Sequence, residues 1–166
     1  EAEGLVRTKP NGRMVVTGFD ADDLGDIFDT RFLLESQAIR AGLDRRAALD
    51  GIERAFAALA TGGSADGLVS LDVDFHRSLV EFSGSRFLVR AWLAIAPVIQ
   101  TAIAIGSRHL AQRDPASNLA RIVESHQALM DALRARDADA ATAMLRRQFD
   151  FSQAMIEAKA PARSSA

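Results

Sequence analysis

The 166-residue chain has no cysteine, which excludes disulfides, thiolate nucleophiles and cysteine-ligated zinc. An excess of charge of either sign is also lacking: 20 Lys and Arg stand against 22 Asp and Glu, a formal net charge of -2. Such a balance gives no broad footprint for nucleic acid or an anionic membrane, because a self-sufficient DNA-binding module carries a strong basic excess. No secretory leader is visible, and no apolar run reads as approaching the roughly 18 residues that a membrane span needs. These absences predict a soluble, cytoplasmic protein. What is present is apolar content: 48% of residues are hydrophobic, enough for one substantial core at this length. The chain begins at Glu1 rather than Met, so it is expected to belong to a longer protein.

Residues 1–19 differ from the rest. Leu5, Val6 and Arg7 and then Met14, Val15 and Val16 flank Pro10-Asn11-Gly12, a pattern that predicts strand, tight turn and strand. Two strands alone are marginal in water, so this ribbon is expected either to lean on a further part of the protein or to be poorly ordered.

From residue 20 to residue 158 the pattern is helical, and residues 159–166 read as a tail. Asp20 is placed as the first N-cap, with Asp22 and Asp23 in the first turn. Leu24, Ile27, Phe28, Phe32, Leu33, Leu34 and Ile39 then recur at three-to-four spacing, which predicts a helix over 20–41, stopped by Gly42. Further helices are predicted over 44–60, 65–82, 86–106, 115–136 and 138–158. Thr61-Gly62-Gly63-Ser64 and Ser83-Gly84-Ser85 separate three of them, and Asp114-Pro115 supplies an N-cap and first helical residue. The fourth is apolar nearly all round, a pattern expected of a buried central helix. Trp92, at helical spacing within it, is placed in the core.

The polar residues that stand out are Asp72 and His76, four apart on one helix face, with His126 and Gln148 on two later helices. Carboxylate, imidazole and carboxamide in such positions can converge inside a helical bundle, and Phe75 and Leu79 would give the site apolar surroundings suited to a small anionic ligand. Asp74 sits off that face and is expected to be solvated. Arg31 can clamp a ligand carboxylate through its guanidinium fork or pair with Glu35 one turn later. Gln100 and Thr101 interrupt an apolar helix and either line the pocket or cap neighbouring backbone. His109, in a predicted loop, has no assigned role.

Taken in order, Asp72-x-x-Phe75-His76-x-x-Leu79, Ser83-Gly84, Glu124-x-His126-x-x-Leu129-x-x-Ala132-Leu133 and Asp137-Ala138-Asp139-Ala140-Ala141 resemble the FadR C-terminal (FCD) domain of GntR-family transcription regulators. Arg31-x-x-Leu34-Glu35 resembles that domain's opening helix, and Glu3-Gly4-Leu5-Val6 with Pro10-Asn11-Gly12 resembles the wing of the family's winged helix-turn-helix. The resemblance covers about residues 20–158. It implies an all-α fold, an antiparallel six-helix bundle of the FadR C-terminal-domain type nearer the VanR-like branch, preceded by a β-hairpin remnant of the wing. Most of the DNA-reading domain would then lie outside this chain.

The resemblance also implies a site. Metal-binding members use one Asp and three His, and the corresponding positions here are Asp72, His76, His126 and Gln148; the last departs from the pattern. Gln148 is a weaker ligand than imidazole, yet two imidazoles and a carboxylate still suit zinc, nickel or manganese. Arg31 corresponds to a pocket-facing position. The function implied is that of an effector-sensing homodimer: a small organic acid binds, directly or through the metal, and modulates DNA binding by the N-terminal domain. No enzyme activity is expected. The alternatives are a metal-dependent hydrolase, for which neither Glu81 nor Glu124 stands as a convincing general base, and a purely structural helical dimer.

Overall fold

Ser64 and Asp114 begin two helices for the reason their chemistry suggests. Ser64 Oγ accepts the Gly67 N–H at 3.2 Å, and Asp114 Oδ1 accepts the Ser117 N–H at 3.1 Å with Pro115 in the first turn, satisfying amides that the helix itself leaves unpaired. The structure, a computed structural model, describes residues 6–8, 14–16 and 21–157. Its helices are α1 (Ala21–Asp44), α2 (Asp50–Ala60), α3 (Ala65–Phe82), α4 (Arg86–Arg113), α5 (Pro115–Arg134) and α6 (Ala138–Glu157). Ahead of them β1 (Val6–Thr8) and β2 (Met14–Val16) pair antiparallel, Arg7 opposite Val15. The Pro10-Asn11-Gly12 turn, the Asp20 cap and the 159–166 tail lie outside the described residues.

α1 packs against α3, α4 and α6, while α2 lies on α3 and α5, and α5 also touches α6. The main core gathers Leu24, Phe28 and Ile39 of α1, Phe75 and Leu79 of α3, Leu129 and Leu133 of α5, and Leu145 and Phe149 of α6. A smaller core joins Ala38, Val80, Trp92 and Ile99 where α1, α3 and α4 meet. Polar residues of α1, α3, α5 and α6 therefore face one another wherever the apolar stripes are interrupted.

Several expectations are corrected. Gly42 does not end α1, which runs on to Asp44; a Cβ at Gly42 would overlap the Phe82 ring, so this glycine permits close packing of α1 on the end of α3. α4 does not stop at residue 106 and is not a central helix. It continues to Arg113 and buries one side through Trp92, Ile99 and Ala102, leaving Phe87 63% and Leu93 46% exposed. Finally, Arg86–Ala104 is long and apolar enough, by length and composition, to cross a membrane, with mean hydropathy 1.7 and only 17% of the stretch buried. The polar side chains, such as Arg90 and Gln100, are too few to bring that mean down. An apolar helix on the outside of a bundle has more apolar surface than its own chain covers.

Candidate metal and effector site

Asp72 and His76, one turn apart on α3, reach the same cavity from one helix face, and α5 brings His126 against them. One ligand atom from each of the three lies within 4.8 Å of the others. Bonds of about 2.0–2.2 Å place the ligands of one metal ion within about 4.4 Å of each other, so small side-chain adjustments would close this set around an ion.

The tautomers of both imidazoles follow from what surrounds them. His76 Nδ1 sits 2.6 Å from Glu35 Oε2. Burial works to raise the Glu35 carboxyl, but its interactions with His76, Arg31 and Trp92 outweigh burial and hold it below the usual carboxylate range. An ionised carboxylate only accepts, so the proton stands on His76 Nδ1 and Nε2 keeps its lone pair. Burial, outweighing the attraction of Glu35, also lowers the His76 pKa and keeps the ring neutral. His126 Nδ1 is 2.8 Å from the Ile122 carbonyl, again an obligate acceptor, which leaves a neutral ring's Nε2 as an acceptor too.

That Nε2 faces Asp72 Oδ1 at 3.3 Å without hydrogen-bond geometry. Burial opposes ionisation of Asp72, yet a proton on His126 facing it, together with His76 and Arg31, holds its carboxyl well below the ordinary range. A carboxylate oxygen and an imidazole lone pair aimed at each other repel unless a cation, either a proton or a metal ion, comes between them. The donor set fits a divalent metal.

Arg31 and Gln148 complete the inner end of the cavity. Arg31 is buried, its Nε–H donating to Glu35 Oε1 at 3.2 Å and its guanidinium carbon 4.3 Å from the Phe149 ring centre. The salt bridge and the pocket position are thus compatible, because Nη2 has no partner among the described residues. Gln148 is 9% exposed, and neither its Oε1 nor its Nε2 has a partner among the described residues. Buried groups of this kind are costly to leave unpaired.

Gln100 and Thr101 do not join them. Both are exposed: Gln100 Nε2 donates to Ser70 Oγ at 3.4 Å and Thr101 Oγ to the Pro97 carbonyl at 2.8 Å. On α4 the inward positions are Ile99, Ala102 and Ile103, which turns the two residues between them away. Asp74 is exposed and pairs with Arg77. His109 falls inside α4 rather than in a loop, and its side chain lies outside the described residues. Sequence reasoning missed Glu35 as the support of His76, since only its Arg31 partner is close in sequence. The cavity, about 440 Å³, also takes in Arg121, Glu124 and Arg147. No spacing pattern singles out Arg121 or Arg147, and Glu124 stands out only through the Glu124-x-His126 motif.

Comparison with known proteins agrees with this arrangement. Residues 26–151 match the family described as the FCD domain. A gluconate operon transcriptional repressor from Bacillus licheniformis is 24% identical over 161 residues, which is 94% of this chain and 65% of that protein's length. Among solved structures, one described as a GntR transcriptional regulator from Rhodococcus sp. RHA1 superposes with a TM-score of 0.72 at 16% identity, over 96% of this chain and 76% of that one. A GntR family member from Pseudomonas syringae pv. tomato str. DC3000 gives 0.69 at 17%, over 95% and 65% of the two chains. E. coli McbR/YncC gives 0.67 at 17%, over 93% and 74%. At these identities the structural likeness is one of fold.

Proposed function

Because the chain belongs to the FCD-domain family of GntR-type regulators, we propose that it is the effector-sensing and dimerisation part of a bacterial transcription regulator. On this reading a small organic acid binds in the cavity between α1, α3, α5 and α6. The observation that carries it is the meeting, at one end of that cavity, of the Arg31 Nη2, both histidines, Asp72 and an unpartnered Gln148. A carboxylate supplies the acceptors that Arg31 and the Gln148 amide want. A divalent ion held by Asp72, His76 and His126, with the Gln148 carboxamide oxygen as a weak further ligand, would add Lewis-acid attraction for the same carboxylate.

DNA would be read by a winged helix-turn-helix domain ahead of residue 26, with β1 and β2 as the last part of its wing. The exposed apolar side of α4 supports a homodimer in which this face meets its copy. The acid then acts by linkage: it shifts the dimer between arrangements only by its differential affinity for them. A cytoplasmic location goes with this role.

Glu124, exposed at the cavity and the nearest carboxylate of the wall to His126 in sequence, keeps a metal-dependent hydrolase as the competing reading. A sensor binds its acid without consuming it. The test is thermal unfolding with Zn2+, Ni2+ or Mn2+ and then with simple carboxylates, followed by assay of the recovered acid and of ester turnover. The expected result is a stepwise rise in Tm, absent in Asp72→Ala and His126→Ala, with no turnover. A Tm unmoved by any metal or acid would contradict the proposal.

A further inference from the structure

The cavity has two chemically different ends. Asp72, Arg31, His76, His126 and Gln148 make up one end, whereas Ile103, Ile122, Met144, Phe151 and Met155 give the remaining wall an apolar surface beside Arg121, Glu124 and Arg147. Several polar side chains on that outer wall are already occupied. Asn118 Oδ1 accepts from Arg121 at 2.6 Å, Ser125 Oγ donates to the Ile122 carbonyl at 2.9 Å, and the Arg121 guanidinium lies 4.4 Å from the Phe151 ring centre. Of the other polar groups that line the cavity, Glu124 and Arg147 are exposed to solvent and Ser152 is half-buried.

Size points the same way. At about 30 Å³ for each non-hydrogen atom, the share of a water molecule in the liquid, 440 Å³ holds roughly a dozen or more atoms. A carboxylate head fills only a small part of that. The rest of the ligand lies against methionine and isoleucine, where a hydroxyl forgoes its hydrogen bonds to water and a methylene is favoured. The two methionines can shape themselves to an irregular apolar body.

We propose that the effector is a carboxylic acid with an apolar body, alkyl or aryl, whose carboxylate meets Arg31 and the histidine cluster while the body lies between Ile103, Ile122, Met144 and Met155. Polyhydroxy sugar acids are disfavoured. This inference rests on the acid-sensing reading above and narrows it.

The test is calorimetric titration of the whole 166-residue chain, with and without Zn2+, against acetate, butyrate, hexanoate, phenylacetate, gluconate and adipate. Affinity is expected to rise about fourfold for each buried methylene. Hexanoate and phenylacetate should exceed acetate by at least tenfold and gluconate by more. Met144→Gln and Met155→Gln should each weaken hexanoate several-fold and leave acetate unchanged. Tighter binding of gluconate, or of adipate through its second charge, would overturn the apolar-body proposal and leave the acid sensor standing, as would a flat alkyl series. Failure of every acid to bind a chain that takes up Zn2+ would overturn both.

Discussion

The indole N–H of Trp92 donates to Glu35 Oε1 at 3.0 Å. The other oxygen of the same buried carboxylate accepts from His76 Nδ1 at 2.6 Å, so one residue of α1 ties the histidine of the cavity to α4, the helix with the exposed apolar side. Trp92 is the chain's single tryptophan. Its emission therefore reads the environment of Glu35 without interference. Addition of Zn2+ is expected to shift or quench that emission with the same midpoint as a calorimetric titration. Zn2+ binding with unchanged fluorescence would show that the Glu35 link does not transmit.

Glu35→Gln tests the orientation of His76. A carboxamide has one oxygen, and if that oxygen keeps the bonds from Arg31 and Trp92, its NH2 faces His76 Nδ1. The imidazole proton must then move to Nε2, which loses its lone pair for metal. Zn2+ affinity is expected to fall about 10- to 100-fold, as for other losses of support behind a ligating histidine. Glu35→Ala should be worse for folding, at roughly 3–5 kcal/mol, because Arg31 is left as a buried unpaired cation. Undiminished Zn2+ binding by Glu35→Gln would remove Glu35 from the site.

Gln148→His restores a third imidazole at the position where the chain carries a carboxamide. Zn2+ affinity is expected to rise by about tenfold or more, equivalent to about 1.4 kcal/mol. Unchanged affinity, measured by competition with a chelating dye, would place Gln148 outside the coordination sphere and leave its amide to the effector alone.

Stability should decline on acidification. His76 is depressed by burial and stays neutral in the fold, whereas the unfolded chain protonates near pH 6.5, so stability present above that pH is lost as pH falls through it. The lowered carboxyls of Glu35 and Asp72 act in the same direction. Their contribution is complete above about pH 4.5 and is lost below it. Urea midpoints are expected to be level above about pH 7, to drop toward pH 5 and to fall more steeply below pH 4.5. A maximum near pH 5 would contradict the buried neutral imidazole.

Gly42→Ala is expected to destabilise the bundle by roughly 1–2 kcal/mol, the crowding of Phe82 exceeding the gain in helix propensity. Gly51→Ala serves as the control, since a Cβ there meets nothing within 4 Å. It should be neutral or stabilising by up to about 1 kcal/mol. Equal effects in denaturant titrations would deny Gly42 its packing role.

The legible parts of the fold were those written in neighbouring residues. Ser64 and Ser83-Gly84 bracketed α3 to the residue, and Asp114-Pro115 set the start of α5, because caps act over a single turn. The meeting of Asp72, His76 and His126 was accessible through motif order as well as through spacing. Glu35 was read only as the partner of Arg31, since its bonds to His76 and Trp92 span 41 and 57 positions and depend on how α1 packs. Gly42 carried a helix-stop signal that tertiary contact with Phe82 overrides. The same applies to α4: an all-apolar helix predicts burial, but only the packing reveals that one side is left open.

The central claim is that Asp72, His76 and His126 form a metal-assisted acid site within a dimer. Native mass spectrometry of the untagged protein, purified without chelator, tests it most directly, since one spectrum gives oligomer mass, metal and any retained small molecule. A dimer carrying about one divalent metal per chain is the expected result. A bare monomer, without metal and unchanged by added Zn2+, would contradict it.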